Sequence, residues 1–298
     1  MMPAPMSLSL GALLLVLACS FAWAGCDLSR KLLAGKIRPQ PLVVLITMAA
    51  VPIFLGWTLI DGLPVIRTSY WAPALASVAL NVGANLAFFR ALRSSALSVT
   101  IPLLSLTPVF TTLLAIPMLG QQPSGLQMAG ILLVVAGAFA LSLPENGPFS
   151  LAAAWRAWST DRSALWMVLV AFCWSLTVPL DKLAMDRASG PLHGLVLNLG
   201  VGLVVAVVLV VQRRTGELAD VRKAPAVFLF GVVISAVALG LQLIAIQKVW
   251  VSLVETLKRG IGIGMAVILG NLVFKEAITV RKIAAVGLMV VGVALILM

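Results

Sequence analysis

The sequence is short of nearly everything a water-soluble domain uses to cover its surface. Only 10% of its 298 residues are charged, where a soluble domain has about a quarter, and 61% are hydrophobic. Acidic residues are the scarcest, with 10 Asp and Glu against 21 Lys and Arg, for a net charge of +11. The one histidine, His193, has no second histidine to build a metal site or an acid–base constellation with, and it reads as a helix-interface residue at the start of an apolar run. The 3 cysteines (Cys19, Cys26 and Cys173) are odd in number, sit inside apolar runs and lack CxxC spacing, which argues against a disulfide framework or a thiolate metal site. HExxH, GxGxxG and P-loop patterns are all missing, so no metal, no cofactor and no enzymatic chemistry is expected. The basic residues are scattered between apolar runs and form no stripe interleaved with aromatics, so the positive charge does not point to nucleic acid.

What the sequence has is long apolar runs. They fall at approximately 8–28, 41–60, 70–92, 96–118, 124–143, 163–185, 191–212, 224–247, 249–274 and 279–298, each able to cross a hydrocarbon core that takes about 20 residues of helix. The fold expected is therefore all-α and integral to a membrane, with ten transmembrane helices and almost no chain left for a soluble domain. The first run, with "LVLACSFAWAGC" at 15–26, looks like a secretory h-region, but "MMPAPMSLSL" before it has no Lys or Arg, so a retained helix is expected. Pro102 and Pro108 are expected to break up the fourth helix.

The runs repeat. "SFAWAGCDLSRKL" (20–32) and "AFCWSLTVPLDKL" (171–183) each place Lys-Leu eight residues after a Trp, with Trp23 and Trp174 151 positions apart. "LGQQPSGLQMAGILLVVAGAF" (119–139) aligns with "FKEAITVRKIAAVGLMVVGVA" (274–294) at an offset of 155, setting Gln121 on Glu276, Ser124 on Thr279 and Gly137 on Gly292. Each half thus holds five spans: a first repeat at 1–143, a connecting loop with a short interfacial helix at 144–162, and a second repeat at 163–298. Five is odd, so the second half must enter the bilayer from the opposite side. The charges agree: 15 basic residues fall in the odd-numbered loops and 4 in the even-numbered ones, which by the positive-inside rule places both termini outside the cytoplasm. Two inverted five-helix repeats around a central cavity are the mark of a secondary transporter.

The duplicated Trp-x7-Lys and the Gly/Glu-rich junction between the fourth and fifth helices resemble the EamA repeat of the drug/metabolite transporter superfamily, over 8–143 and 163–298. The resemblance implies a secondary transporter that moves a small amphipathic metabolite, such as an amino acid or organic anion, by alternating access. The family usually carries an acidic residue where this sequence has Gln121, whereas Glu276 keeps it and reads as a helix N-terminal residue. Family members are often drawn with both termini inside the cytoplasm, contrary to the charge count.

Charges inside apolar runs mark the candidate site, because each needs a partner or an aqueous cavity. In "VETLKRGIGIG" (254–264), Glu255 is three residues before Lys258 and four before Arg259, so it can neutralise one of them and leaves one cation for an anionic substrate. "LKR" here also resembles the ninth helix of plastid triose-phosphate translocators, where the adjacent Lys and Arg hold a phosphate or carboxylate; an exchanger for such metabolites is the alternative function. Those relatives also use a fourth-helix Lys where this chain has Leu104. The remaining candidates for substrate contact are Trp23, Trp174, Asn81, Asn85 and Gln242, alongside the competing roles of interfacial anchoring and helix–helix hydrogen bonding. Asp27 can pair with Arg30 or Lys31, and its second-half counterpart is the adjacent pair Asp181–Lys182. Expected partners are a small-molecule substrate and the lipid bilayer, with a homodimer left open, in a bacterial inner membrane. A membrane enzyme or a channel is the rival reading; neither a catalytic constellation nor a selectivity ring is visible.

Overall fold

The structure, a computed structural model, describes residues 9–34, 36–94, 101–141, 162–274 and 279–297. Among them are ten α-helices: α1 (Leu10–Ala34), α2 (Pro39–Asp61), α3 (Trp71–Ser94), α4 (Thr107–Leu119), α5 (Gly125–Leu141), α6 (Arg162–Met185), α7 (Gly190–Val211), α8 (Pro225–Lys248), α9 (Val251–Phe274) and α10 (Val280–Leu297). Each corresponds to one apolar run. Seven of them (α1, α2, α3, α6, α7, α8 and α10) are long and apolar enough to cross a membrane. Helix α9 is as long, at 24 residues, but carries Glu255, Lys258 and Arg259. Helix α4 has only 13 residues and is extended by a 3₁₀ turn at Ile101–Leu106, with Pro108 in its first turn, so the two prolines do divide this segment. The interfacial helix expected at 144–162, up to the start of α6, lies outside the described residues, as does Glu276.

The starts of the helices follow from local chemistry. Pro sits in the first turn of α2, α4, α7 and α8, where its missing N–H costs nothing. The Ser124 hydroxyl accepts from the Gln127 N–H at 3.2 Å, and the Gln127 side chain accepts from the Ser124 N–H at 3.0 Å, a reciprocal cap on α5. Thr279 accepts from the Lys282 N–H at 3.4 Å at the start of α10. The aligned Ser124 and Thr279 are thus paired in the sequence because both cap a helix.

The helices pack mainly across the two halves of the chain. The principal pairs are α1 with α8, α2 with α7, α3 with α6, and α5 with α10, followed by α1 with α9, α4 with α6, and α4 with α9. Exchanging every helix for the one five places away returns the same set. Helices α5 and α10 show this in atomic detail. A Cβ on Gly130 would lie 2.5 Å from the Gly292 carbonyl oxygen, and one on Gly137 would lie 2.8 Å from that of Ala285. At the offset of 155 these two contacts are images of each other, and they make the helices antiparallel. Small residues let membrane helices approach this closely. Gly292→Leu should therefore separate α5 from α10 and lower the thermal unfolding temperature in detergent, by the roughly 1–3 kcal/mol typical of overpacking. The same substitution at Gly287, which meets no atom within 4 Å, should have little effect and serves as the control.

At one end of the bundle, the α1–α2 turn meets the α7–α8 connection. Arg38 pairs with Glu217 at 2.5 Å, and Arg214 pairs with the same carboxylate at 2.8 Å while reaching Gln40 at 2.8 Å. The hydrogen bond from Arg214 holds the Glu217 carboxyl below the usual carboxylate range. Residues 36–38 and 213–223 therefore share a face, as the loop count requires. Cysteines placed at Lys36 and Arg222 should be labelled by an impermeant maleimide from the same side of sealed vesicles; labelling from opposite sides would contradict this packing. Apolar side chains line the outside instead, with Leu203, Val207, Val210 and Val211 of α7 all more than half exposed, the reverse of a soluble protein.

Candidate functional site

Helix α9 carries the charges, and its first turn is tied down. Gln121, in the link between α4 and α5, accepts a hydrogen bond from the Val251 N–H at 3.0 Å and so caps α9 from the opposite half. This needs an acceptor and no charge, which explains how Gln serves where the family usually has an acid. One turn further on lies Glu255, beyond the first turn of α9.

Glu255 is 1% exposed and is paired with the ammonium of Lys258, three residues along. The same ammonium donates to Gln242 Oε1 of α8 at 2.9 Å and lies over the ring of Trp23 of α1, 5.1 Å from its centroid. Four of the candidates read from the sequence thus form one cluster drawn from α1, α8 and α9. An aromatic face is a good neighbour for a desolvated cation. Lys258 is consequently satisfied on three sides. Arg259 is not: its side chain is half-buried, its Nε is buried without a hydrogen-bond partner, and no acid pairs with it among the described residues. Buried without partners too are Trp23 Nε1, Thr111 Oγ1 of α4 and Ser252 Oγ of α9. Gly260 packs against Val134 and Val293, whereas Gly262 and Gly264 face open space. Nearer the end of α1, Asp27 pairs with Arg30 at 3.7 Å; both are substantially exposed, so the pair contributes little.

The other candidates lie on α3 and α6. Asn85 donates to the Asn81 carbonyl at 2.7 Å, and Asn81 donates to the Ser77 carbonyl at 3.1 Å, each one turn back along α3. Trp174 packs at a tilt against Phe88, with ring centroids 5.6 Å apart. Ser77 leads to a cluster that sequence reasoning did not assemble. Its hydroxyl donates to Asp181, whose Oδ1 is also 3.0 Å from His193 Nε2; His193 Nδ1 in turn lies 3.2 Å from the hydroxyl of Tyr70. All four side chains are buried, and His193 and Tyr70 are the chain's one histidine and one tyrosine. Lys182 turns away from Asp181 and donates to the Ile246 carbonyl at 2.8 Å, at the end of α8, so the two neighbours in sequence go to different partners. A pocket of about 380 Å³ opens between the ends of α2, α7 and α8, lined among others by Asp61, Ser189, Pro191 and Gln247, and by none of the candidate residues.

A helical membrane bundle built from two packed halves, with ionisable side chains held in its interior, is the architecture of a transporter. The chain belongs to the EamA-like transporter family, whose model matches it twice, over residues 10–143 and 161–298. It is an integral membrane protein of the drug/metabolite transporter superfamily. No curated protein matches it significantly. Among solved structures, one described as "Crystal structure of protein" superposes with a TM-score of 0.74 at 17% identity, covering 96% of this chain and 96% of its own. At that identity the likeness concerns the fold alone.

Proposed function

We propose that all ten helices cross a bacterial inner membrane as two inverted repeats, 1–143 and 163–298, and that the protein moves a small amphipathic metabolite bearing a carboxylate by alternating access between them. The observation that carries this reading is the unequal state of two adjacent cations. Lys258 is neutralised by Glu255, while no acid pairs with Arg259 among the described residues. A charge at the centre of a membrane helix costs on the order of 3 kcal/mol even on insertion scales, so an uncompensated one calls for a use. A guanidinium suits a carboxylate, which it grips through two parallel N–H groups. The unpartnered Trp23 Nε1, Thr111 Oγ1 and Ser252 Oγ, on helices packed beside or within α9, add donors of the kind an oxyanion accepts from.

The alternative, an exchanger of phosphorylated metabolites, is less well supported, because Leu104 is a buried apolar residue where a further cation would be wanted. Reconstitution tests the proposal. A metabolite library screened by thermal stabilisation supplies the ligand, and proteoliposomes loaded with it should show saturable, trans-stimulated counterflow. Linear, unsaturable flux would make the protein a channel and overturn the mechanism.

A further inference from the structure

We propose that Asp181 and His193 form a proton-binding site whose occupancy sets the packing between the two halves, so that the proton is the coupling ion of transport. This rests on reading the protein as an alternating-access carrier. With His193 neutral and its hydrogen on Nε2, every group in the cluster is satisfied. Nε2–H donates to Asp181 at 3.0 Å, Nδ1 accepts from the Tyr70 hydroxyl at 3.2 Å, and Ser77 donates to the same carboxylate. That arrangement leaves a buried negative charge held only by neutral donors. The charged groups at this end are Lys182 of α6, Asp186 and Arg187 of the α6–α7 link, Arg67 ahead of α3, Asp61 at the end of α2 and Lys248 at the end of α8. None of them hydrogen-bonds or ion-pairs with Asp181 or His193 among the described residues. The Lys182 ammonium is committed to the Ile246 carbonyl, and Arg187 reaches the Ser69 carbonyl at 3.3 Å.

One proton taken from water onto Nδ1 turns the pair into imidazolium and carboxylate, with no net charge. Nδ1–H then donates to the Tyr70 oxygen, and the Tyr70 hydroxyl has to turn to another acceptor. Tyr70 belongs to the first half of the chain, and Asp181 and His193 to the second. Protonation therefore reverses the direction of a hydrogen bond that crosses between the halves. A second link runs along α3: Asn81 Nδ2 lies 3.4 Å from Ser77 Oγ, and Asn85 bonds back to Asn81, so the cluster is joined turn by turn to the middle of the helix. The internal repeat shows that this is an addition. At the offset of 151, Asp181 falls on Arg30 and His193 on the buried Leu42, so the first half carries no image of the pair. The chain thus has one such site, at the end of the bundle where the pocket at Ser189 and Pro191 opens beside the first turn of α7.

Because His193 is the only histidine, protein labelled with ¹⁵N-histidine in nanodiscs gives the two ring-nitrogen signals of one imidazole. The shifts should pass from those of the neutral Nε2–H tautomer to those of the doubly protonated form as pH is lowered, and at a given pH the doubly protonated form should be less populated in Asp181→Asn, which lacks the carboxylate that stabilises the imidazolium. Spin labels at positions 61 and 248, one in each half, should report a distance distribution that changes over the same pH interval in the parent and stays constant in His193→Gln. If His193→Gln does not fold, Tyr70→Phe replaces it, with protonation retained and the distance change lost. A histidine that keeps one state throughout, or that titrates without altering the distances, overturns the proposal. Saturable counterflow together with a silent histidine would remove the proton site alone, and absence of counterflow with an intact titration would remove the carrier reading alone.

Discussion

Glu255→Gln should destabilise the protein more than any other single neutralisation within the bundle. The wild-type carboxylate is 1% exposed and holds an ammonium that is itself only 11% exposed. Glutamine keeps an oxygen in place but removes the charge, leaving Lys258 with the Gln242 amide and the Trp23 ring as its remaining neighbours. Breaking a buried pair from one side costs on the order of 3–5 kcal/mol, because the surviving charge stays desolvated. The measurement is thermal unfolding in a fixed detergent, compared with Lys258→Gln and the double variant. The double variant should recover most of the loss, since it buries two amides in place of one orphaned cation. A double variant as unstable as Glu255→Gln would show that the carboxylate acts through something other than Lys258.

Arg259→Gln should give the opposite phenotype, with the fold retained and transport abolished or strongly weakened. Among the described residues no acid pairs with this guanidinium, so its removal strands none of them. If it grips a substrate carboxylate, losing a charge-assisted contact of about 1.5–3 kcal/mol weakens binding by roughly ten- to a hundred-fold. A neutral analogue of the same shape should lose far less. Equal weakening of acid and neutral analogue would make Arg259 a structural residue and remove the anionic substrate with it.

The helices were legible because bilayer thickness dictates run length, and each observed helix lies within a few residues of an apolar run, except that α1 runs on to Ala34 and α4 begins only at Thr107. Ala34 extends α1 past its run because Arg30 and Lys31 are polar yet still helical. At α4, Pro102 and Pro108 announced the break without revealing that a 3₁₀ turn would fill it. The Glu255–Lys258 pairing was legible as spacing on one helix, but not the choice of Lys258 over Arg259, which depends on Gln242 and Trp23 arriving from α8 and α1. The Asp181–His193–Tyr70 cluster was not legible at all. Its members come from three segments, and sequence adjacency suggested Lys182 as the partner of Asp181, whereas helix geometry sends neighbouring side chains about 100° apart. Partner choice between membrane helices leaves little periodic trace, because lipid is as apolar as the helix facing it.

The pairing of α1 with α8, α2 with α7, α3 with α6 and α5 with α10 has a consequence for biogenesis. Each main interface joins segments made at different times, so the first five helices emerge from the ribosome before their principal partners exist. At 5–20 residues per second, synthesis of the second half takes about 7–30 s. Through that interval Gly130 and Gly137 of α5 have only lipid where α10 will later lie, and Ser77 has no Asp181 to receive its hydrogen bond. The newborn half must therefore wait without its main partners, and assembly becomes a late event that closes both halves together.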